Sequence, residues 1–250
     1  MRILVNGLCG HMGREVARLA AEGYRGAVLA AGADVNAGSC EIAGVPCARD
    51  IREACPDVDC IVDFSHHSGT AALLEFAVSH RLPLVLATTG QTPAEREAIA
   101  AAAGSIPLFF AANYSLGVAL LIELAKKAAA AMPDAEIEII ETHHDRKLDA
   151  PSGTALALAE AIRSVRPEAE LHPGRTGYGR RTPQEIGIHS IRMGSIVGVH
   201  EVLLGTATQT ITLRHEAHSR ALFAEGALAA AEFLCGKPAG LYDMKSMVSF

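Results

Sequence analysis

The chain has 250 residues, half of them hydrophobic, with no tryptophan and a formal net charge of −6. That length holds one large domain or two modest ones around a sizeable core. The acidic balance argues against non-specific nucleic-acid binding, and no apolar run is long enough for a membrane span.

"RILVN" (2–6) is a strand-like run at the very start, so no signal peptide is expected and a cytoplasmic protein is. "GLCGHMGREVARLAAEG" then reads as turn and helix. Further strands are expected at 27–34, 60–65, 82–89 and 106–113, with helices at 70–80 and 93–103. Strands alternating with helices predict an α/β domain with a doubly wound parallel sheet over residues 1–112.

The pattern then changes. A helix is expected at 116–132, a half-exposed strand at 136–140, and a helix after Ser152. Residues 172–183 are rich in Gly, Pro and Arg and read as a loop. Three strand candidates follow without long helices, "EIGIHSIRM", "VGVHEVLLG" and "TQTITLRH", and a helix closes the chain near 219–235. Residues 113–220 are therefore expected to form a second, α+β domain with an open mixed or antiparallel sheet. The six cysteines (9, 40, 47, 55, 60 and 235) include no C-x-x-C pair. They read as reduced thiols; a zinc site on Cys55 and Cys60 is the weaker alternative.

Two stretches carry chemistry. In "VNGLCGHMGREV", Gly7, Gly10 and Gly13 fall between the first strand and the first helix. The spacing is G-x-x-G-x-x-G, whereas the usual dinucleotide fingerprint is G-x-G-x-x-G. Glycines there permit a tight turn and close approach of a pyrophosphate to backbone N–H groups at a helix start. Asp34 ends the second strand, where an acid can bind ribose hydroxyls, and Val35 offers no charge for a 2′-phosphate.

The other stretch is "ETHHDRKLDAPSGTA" (141–155). Consecutive side chains on a strand point to opposite faces, so His143 and His144 can line one pocket only if the chain leaves strand geometry near Thr142. Pro151 disfavours helix at Ala150, and Ser152 is a natural N-cap. Gly153, Thr154 and the helix start suit a carboxylate, with Lys147 adding charge or a proton and a histidine titrating near neutrality. The alternatives are solvated histidines, a metal site, or a simple helix start.

This segment closely resembles the signature of the dihydrodipicolinate reductases, also called 4-hydroxy-tetrahydrodipicolinate reductases, of lysine and diaminopimelate synthesis. The likeness extends to "VNGLCGHMGR", "LATTG", "FAANYSLGV", "IRMGSIVGVHEV" and "FAEGALAAAEFLCGKPAGLYDM", and so spans the chain in order. It implies a Rossmann-like domain that binds NADH or NADPH, to which residues 221–250 return. It also implies a central domain that holds a cyclic dicarboxylate and forms a homotetramer through its sheet. It puts catalysis on His143 and Lys147, and substrate contacts on His144, Gly153 and Thr154. Cofactor contacts fall on Gly7, Leu8, Cys9, Gly10, His11 and Met12, on Asp34, on Ala87, Thr88 and Thr89, and on Ala111, Ala112, Asn113 and Tyr114. No metal is expected. The competing readings are a related NAD(P)-dependent reductase or amino-acid dehydrogenase on the same fold, a non-catalytic NAD(P) sensor, and a metal hydrolase using the histidines.

Overall fold

A computed structural model describes residues 1–39, 44–55 and 57–248. The chain runs β1 (Arg2–Asn6), α1 (His11–Ala21), β2 (Val28–Ala33), β3 (Cys47–Ala48), β4 (Cys60–Asp63), α2 (Thr70–His80), β5 (Leu84–Leu86), α3 (Pro93–Ala103) and β6 (Pro107–Phe110). It continues with α4 (Leu116–Ala131), β7 (Glu136–His143), α5 (Gly153–Arg163), β8 (Glu170–Pro173), β9 (Glu185–Arg192), β10 (Gly198–Gly205) and β11 (Thr210–Ala217). α6 (Ala221–Leu234), β12 (Gly240–Tyr242) and α7 (Met244–Val248) close it. Cys40 lies outside the described residues. No disulfide joins the described cysteines, and no cluster of three or more His, Cys, Asp or Glu side chains able to hold a metal occurs among the described residues. No helix there is long and apolar enough to cross a membrane.

The chain divides into two compact units. The first comprises Met1–Ser115 with Ala221–Met247, and the second is built on Leu116–Arg220. In the first, a parallel sheet has the order β12-β6-β5-β4-β1-β2-β3. Its strands are continuous apolar runs because both faces are covered. α2 and α3 pack together on one face, where Leu73, Phe76 and Ile99 meet Leu4, Leu84 and Leu108. α3 starts where Thr92 and Glu95 form a capping box ahead of Pro93. α1 and α6 pack together, and α6 also lies against β4, β5 and β6. The strand order reverses between β1 and β4, the place in such sheets where ligands bind beyond the carboxyl ends.

In the second unit the sheet is mixed, in the order β11-β10-β7-β9-β8. β9 runs parallel to β7 and β8, whereas β10 runs antiparallel to β7 and β11. α4 and α5 cover one face, and Leu121, Ala125, Leu158 and Ile162 pack there on Ile137, Ile139, Val202 and Leu204. Leu213 stands opposite Val202 and joins this same core, with Ile211 on its side of the strand. An alternation through Ile211 and Leu213 therefore does not describe the opposite face, as the sequence pattern alone would have it. That face carries Glu138, Ile140 and Leu203, with Arg181 and His189 both bonded to Glu138.

Candidate functional site

In the first unit the glycine turn is held by close contacts. Gly7 sits at φ +81°, and a Cβ on it would come 2.6 Å from the Phe64 carbonyl oxygen. A Cβ on Gly13 would lie 2.2 Å from the Gly7 carbonyl oxygen, so α1 packs directly on the turn. Leu8, at the departure from the usual fingerprint, is fully buried and fills the space beside Gly32.

Most of the turn's own donors are already used. The Gly7 and Leu8 N–H groups bond Ala33 O, that of Gly10 bonds Gly7 O, and that of Cys9 donates to Asp34 Oδ2 at 2.9 Å. Within this turn, the N–H groups that no acceptor among the described residues takes are those of His11, Met12 and Gly13, the first turn of α1. The expectation of contacts across Gly7–Met12 narrows accordingly, with Leu8 and Cys9 building the turn and the helix start offering the donors. Unclaimed N–H groups at a dipole's positive end fit a pyrophosphate. Asp34 is fixed by Cys9 N–H and by Asn36 N–H at 2.8 Å, which leaves acceptor capacity for a ribose hydroxyl. Gly7, Gly10, Asp34, Val35, Arg49 and Ser65 line a cleft of about 440 Å³.

A buried acid ties the neighbouring loops together. Asp63, at the end of β4, accepts from Asn6 Nδ2 (2.7 Å), Ser65 Oγ (2.6 Å) and Thr88 Oγ1 (2.6 Å). Burial raises its pKa although these donors oppose the shift. Ala87 donates its N–H to Asp63 O, while Thr89 is exposed. After β6, Ala111, Ala112 and Asn113 retain exposure. Tyr114 does not: its ring is buried, its hydroxyl donates to Leu86 O at 2.8 Å, and a Cβ on Gly226 would press on its carbonyl oxygen. The ring of Tyr114 therefore packs the core, while Ala111, Ala112 and Asn113 keep exposed surface beside it.

In the second unit β7 keeps strand geometry through Thr142 and ends at His143. Its alternation puts Glu141 and His143 on the same face as Ile137 and Ile139. Glu141 is fully buried and accepts from His143 Nδ1 (2.5 Å), Arg192 Nη2 (2.6 Å) and Nη1 (2.8 Å), and Ser152 N (3.1 Å). Burial pushes the Glu141 pKa up, but the hydrogen bonds from Arg192, Ser190 and His143 outweigh it and hold the pKa down at about 2. An ionised carboxylate only accepts, so His143 carries its proton on Nδ1, and Nε2 is left for exchange. Nε2 lies over Gly198, where a Cβ would come within 3.0 Å.

Burial lowers the pKa of His143; the Glu141 contact opposes this, and the positive charges of Lys147 and Arg192 add to it. His200 stands edge-on to His143 with ring centroids 5.1 Å apart, and its Nε2 is 3.1 Å from Ser152 Oγ. Burial and then the neighbouring His143 bring the His200 pKa down to about 4. His144 is the first residue past the strand, and its N–H bonds Ile196 O at 2.8 Å. The chain thus leaves strand geometry after His143, one residue later than Thr142.

Lys147 lies in the turn that follows, with Nζ 2.8 and 2.9 Å from the two oxygens of Asp149. Arg192 also donates to Asp149 O at 2.7 Å and so ties this turn to β9. Ser152 caps α5 as expected, its Oγ accepting from Ala155 N at 3.2 Å. Gly153 is exposed, with open space beside it and an N–H that no acceptor among the described residues takes. Thr154 follows, partly buried. Three residues of this cluster carry no role in the sequence reading: Glu141, although it opens the motif, Arg192 and His200. Glu141 had a signal, a charge at a position where the strand's alternation demands an apolar side chain. Arg192 and His200 arrive only through pairing, Arg192 opposite His143 and His200 opposite Glu141. In the 172–183 loop, Arg175 is paired with Glu185 and Arg181 with Glu138.

A doubly wound sheet with a phosphate-ready helix start, joined in one chain to a unit bearing a carboxylate-held histidine, defines a nicotinamide-dependent oxidoreductase. Residues 1–114 match the family profile described as "Dihydrodipicolinate reductase, N-terminus", and residues 117–248 match "Dihydrodipicolinate reductase, C-terminus". The chain belongs to the dihydrodipicolinate reductase family, whose members use NAD(P)H. It is 42% identical to the 4-hydroxy-tetrahydrodipicolinate reductase of Caldanaerobacter subterraneus subsp. tengcongensis, over 99% of this chain and 98% of that one. It is 39% identical to the protein of that name from Alkaliphilus metalliredigens, over 99% of each. Its fold is similar to that of a dipicolinate-bound dihydrodipicolinate reductase from Paenisporosarcina sp. TG-14, with a TM-score of 0.81, 26% identity and 97% of each chain covered.

Proposed function

We propose that this chain reduces 4-hydroxy-tetrahydrodipicolinate to tetrahydrodipicolinate in lysine and diaminopimelate synthesis. The observation that carries the chemistry is the Glu141–His143 pair beside Lys147 and the open start of α5. When bound, NADH or NADPH supplies a hydride to a ring carbon of the conjugated imine, so no protein nucleophile is needed. The first turn of α1 would hold the pyrophosphate and Asp34 the adenosine ribose, with Thr88, Thr89 and Ala111–Asn113 bordering the nucleotide. His143 and Lys147 supply a proton and stabilise negative charge as it develops on the ring nitrogen. His144, Gly153 and Thr154 take the carboxylates; the dipicolinate held by the Paenisporosarcina relative is such a dicarboxylate. Oxidation of NADH and NADPH is measured with substrate freshly generated by the preceding synthase; no turnover with either cofactor would refute the reading.

Thr154→Val keeps the shape of the side chain and removes a donor. It is expected to raise KM for the dicarboxylate by the equivalent of ~1.5–3 kcal/mol, the scale of a hydrogen bond to a charged group. A flat KM with weakened cofactor binding would put the carboxylate elsewhere.

Asp34 repels the 2′-phosphate of NADPH, and NADH is expected to be used at least as well as NADPH, with both accepted. Asp34→Asn removes the charge and should move the ratio of the two kcat/KM values towards NADPH. A wild-type preference for NADPH of ~10-fold or more would contradict the first statement.

The protein is read as cytoplasmic and as a homotetramer assembled through the second unit's sheet, whose Glu138–Ile140–Leu203 face has no helix over it. Light scattering at micromolar concentration tests this, and a monomer would overturn it.

A further inference from the structure

The register between β2 and β3 brings a cation to Asp34 that the linear sequence does not. Gly32 pairs with Cys47 and Ala33 with Ala48, and Asp34 N–H donates to Ala48 O at 2.9 Å. Continued by one residue, the parallel register sets Arg49 beside Asp34 at the carboxyl ends of adjacent strands. Both line the 440 Å³ cleft. The guanidinium lies over the turn that follows Asp34, where a Cβ on Gly38 would be 3.4 Å from Arg49 Nη2.

Arg49 is exposed, and among the described residues it makes no hydrogen bond or ion pair. Among the described residues, the acids near it, Asp34 and Asp50, already accept from other donors. Asp34 accepts from two backbone N–H groups. Asp50 is bonded by the side chain and N–H of Arg52, which hold its pKa down at about 2. A charged fork is thus left over at the ribose-binding end of a nucleotide cleft, facing the same space as the carboxylate.

We propose that Arg49 forms the subsite for the 2′-phosphate of NADPH. The inference rests on the nicotinamide-reductase reading above and adds the residue that admits the second cofactor. A guanidinium binds phosphate oxygens through two parallel N–H donors, which offsets the repulsion from Asp34. Val35, the position next to the acid where a cation was sought, is 82% exposed and contributes no charge. NADH lacks the phosphate and is indifferent to Arg49.

Arg49→Gln is expected to lower kcat/KM for NADPH by ~10-fold or more, the loss of one charge-assisted hydrogen bond, and to leave that for NADH within about twofold. A second measurement needs no turnover. By calorimetry, adenosine 2′,5′-bisphosphate should bind the wild type more tightly than 5′-AMP does, and Arg49→Gln should abolish that advantage. The proposal is overturned if the variant keeps its NADPH activity, if both cofactors lose equally, or if the wild type shows no preference for the bisphosphate. Absence of turnover with either cofactor would sink the reductase reading instead, and the calorimetric comparison would still decide the role of Arg49.

Discussion

His143→Gln lowers kcat by ~10²-fold or more, the usual contribution of a general acid, and leaves NADH affinity nearly unchanged. The amide can still accept or donate at the Glu141 end but has no exchangeable proton of the right acidity. Lys147→Ala is expected to have an effect of the same size. pH separates the contribution of the histidine. Burial sets the His143 pKa below its ordinary 6.5, so the protonated donor is lost as pH rises through that lowered value. The kcat/KM of the wild type should decline with a midpoint below 6.5, and His143→Gln should lack that limb. Profiles of the two variants across pH 5–9 check this, and wild-type turnover by either one removes that residue from the mechanism.

Glu141→Gln is the most destabilising single change expected. The carboxylate is fully buried, and its loss leaves the Arg192 guanidinium, 19% exposed, without its counter-charge. Breaking a buried pair from one side costs ~3–5 kcal/mol; the residual exposure of Arg192 puts this case at the low end. The sign with pH follows from the depressed pKa. With the ordinary value at 4.5 and the folded value at about 2, the stabilisation is complete above 4.5 and disappears as pH falls through 2. Urea unfolding should therefore separate wild type and variant at pH 7 and bring them together near pH 2. Equal stability at pH 7 would show that Glu141 is not the anchor of this cluster.

The sequence makes long elements and the two chemical motifs legible, because each depends on local pattern. The helices at 70–80 and 93–103 coincide with α2 and α3, and the second is announced locally by the Thr92–Glu95 capping box and Pro93. The shortest strands are not legible. β3 has two residues and β12 three, too few for any alternation to appear. His143, Lys147 and Ser152 stand out within one stretch of chain, whereas Arg192 and His200 depend on strand pairing. The packing role of the Tyr114 ring is equally hidden, because its hydroxyl donates to carbonyls of both β5 and β6. Arg49 belongs with the residues hidden by distance in sequence, because a parallel pairing rather than a neighbour supplies the charge at Asp34.

The first unit is assembled from both ends of the chain, and this shapes the order in which a ribosome can deliver it. α6 is buried along most of its length, from Ala224 to Leu234, and Phe233 bridges Phe109 of β6 to Tyr242 of β12. Neither α6 nor β12 exists until nearly the whole chain has been translated. The second unit, by contrast, is built on the single stretch Leu116–Arg220 and has all its strands once β11 has left the exit tunnel. The nucleotide-binding half therefore waits, begun first and completed last, with one flank of its sheet uncovered throughout synthesis of its neighbour. A nonsense codon shortly after residue 220 would consequently spare the unit that carries His143 and strip the one that carries the glycine turn.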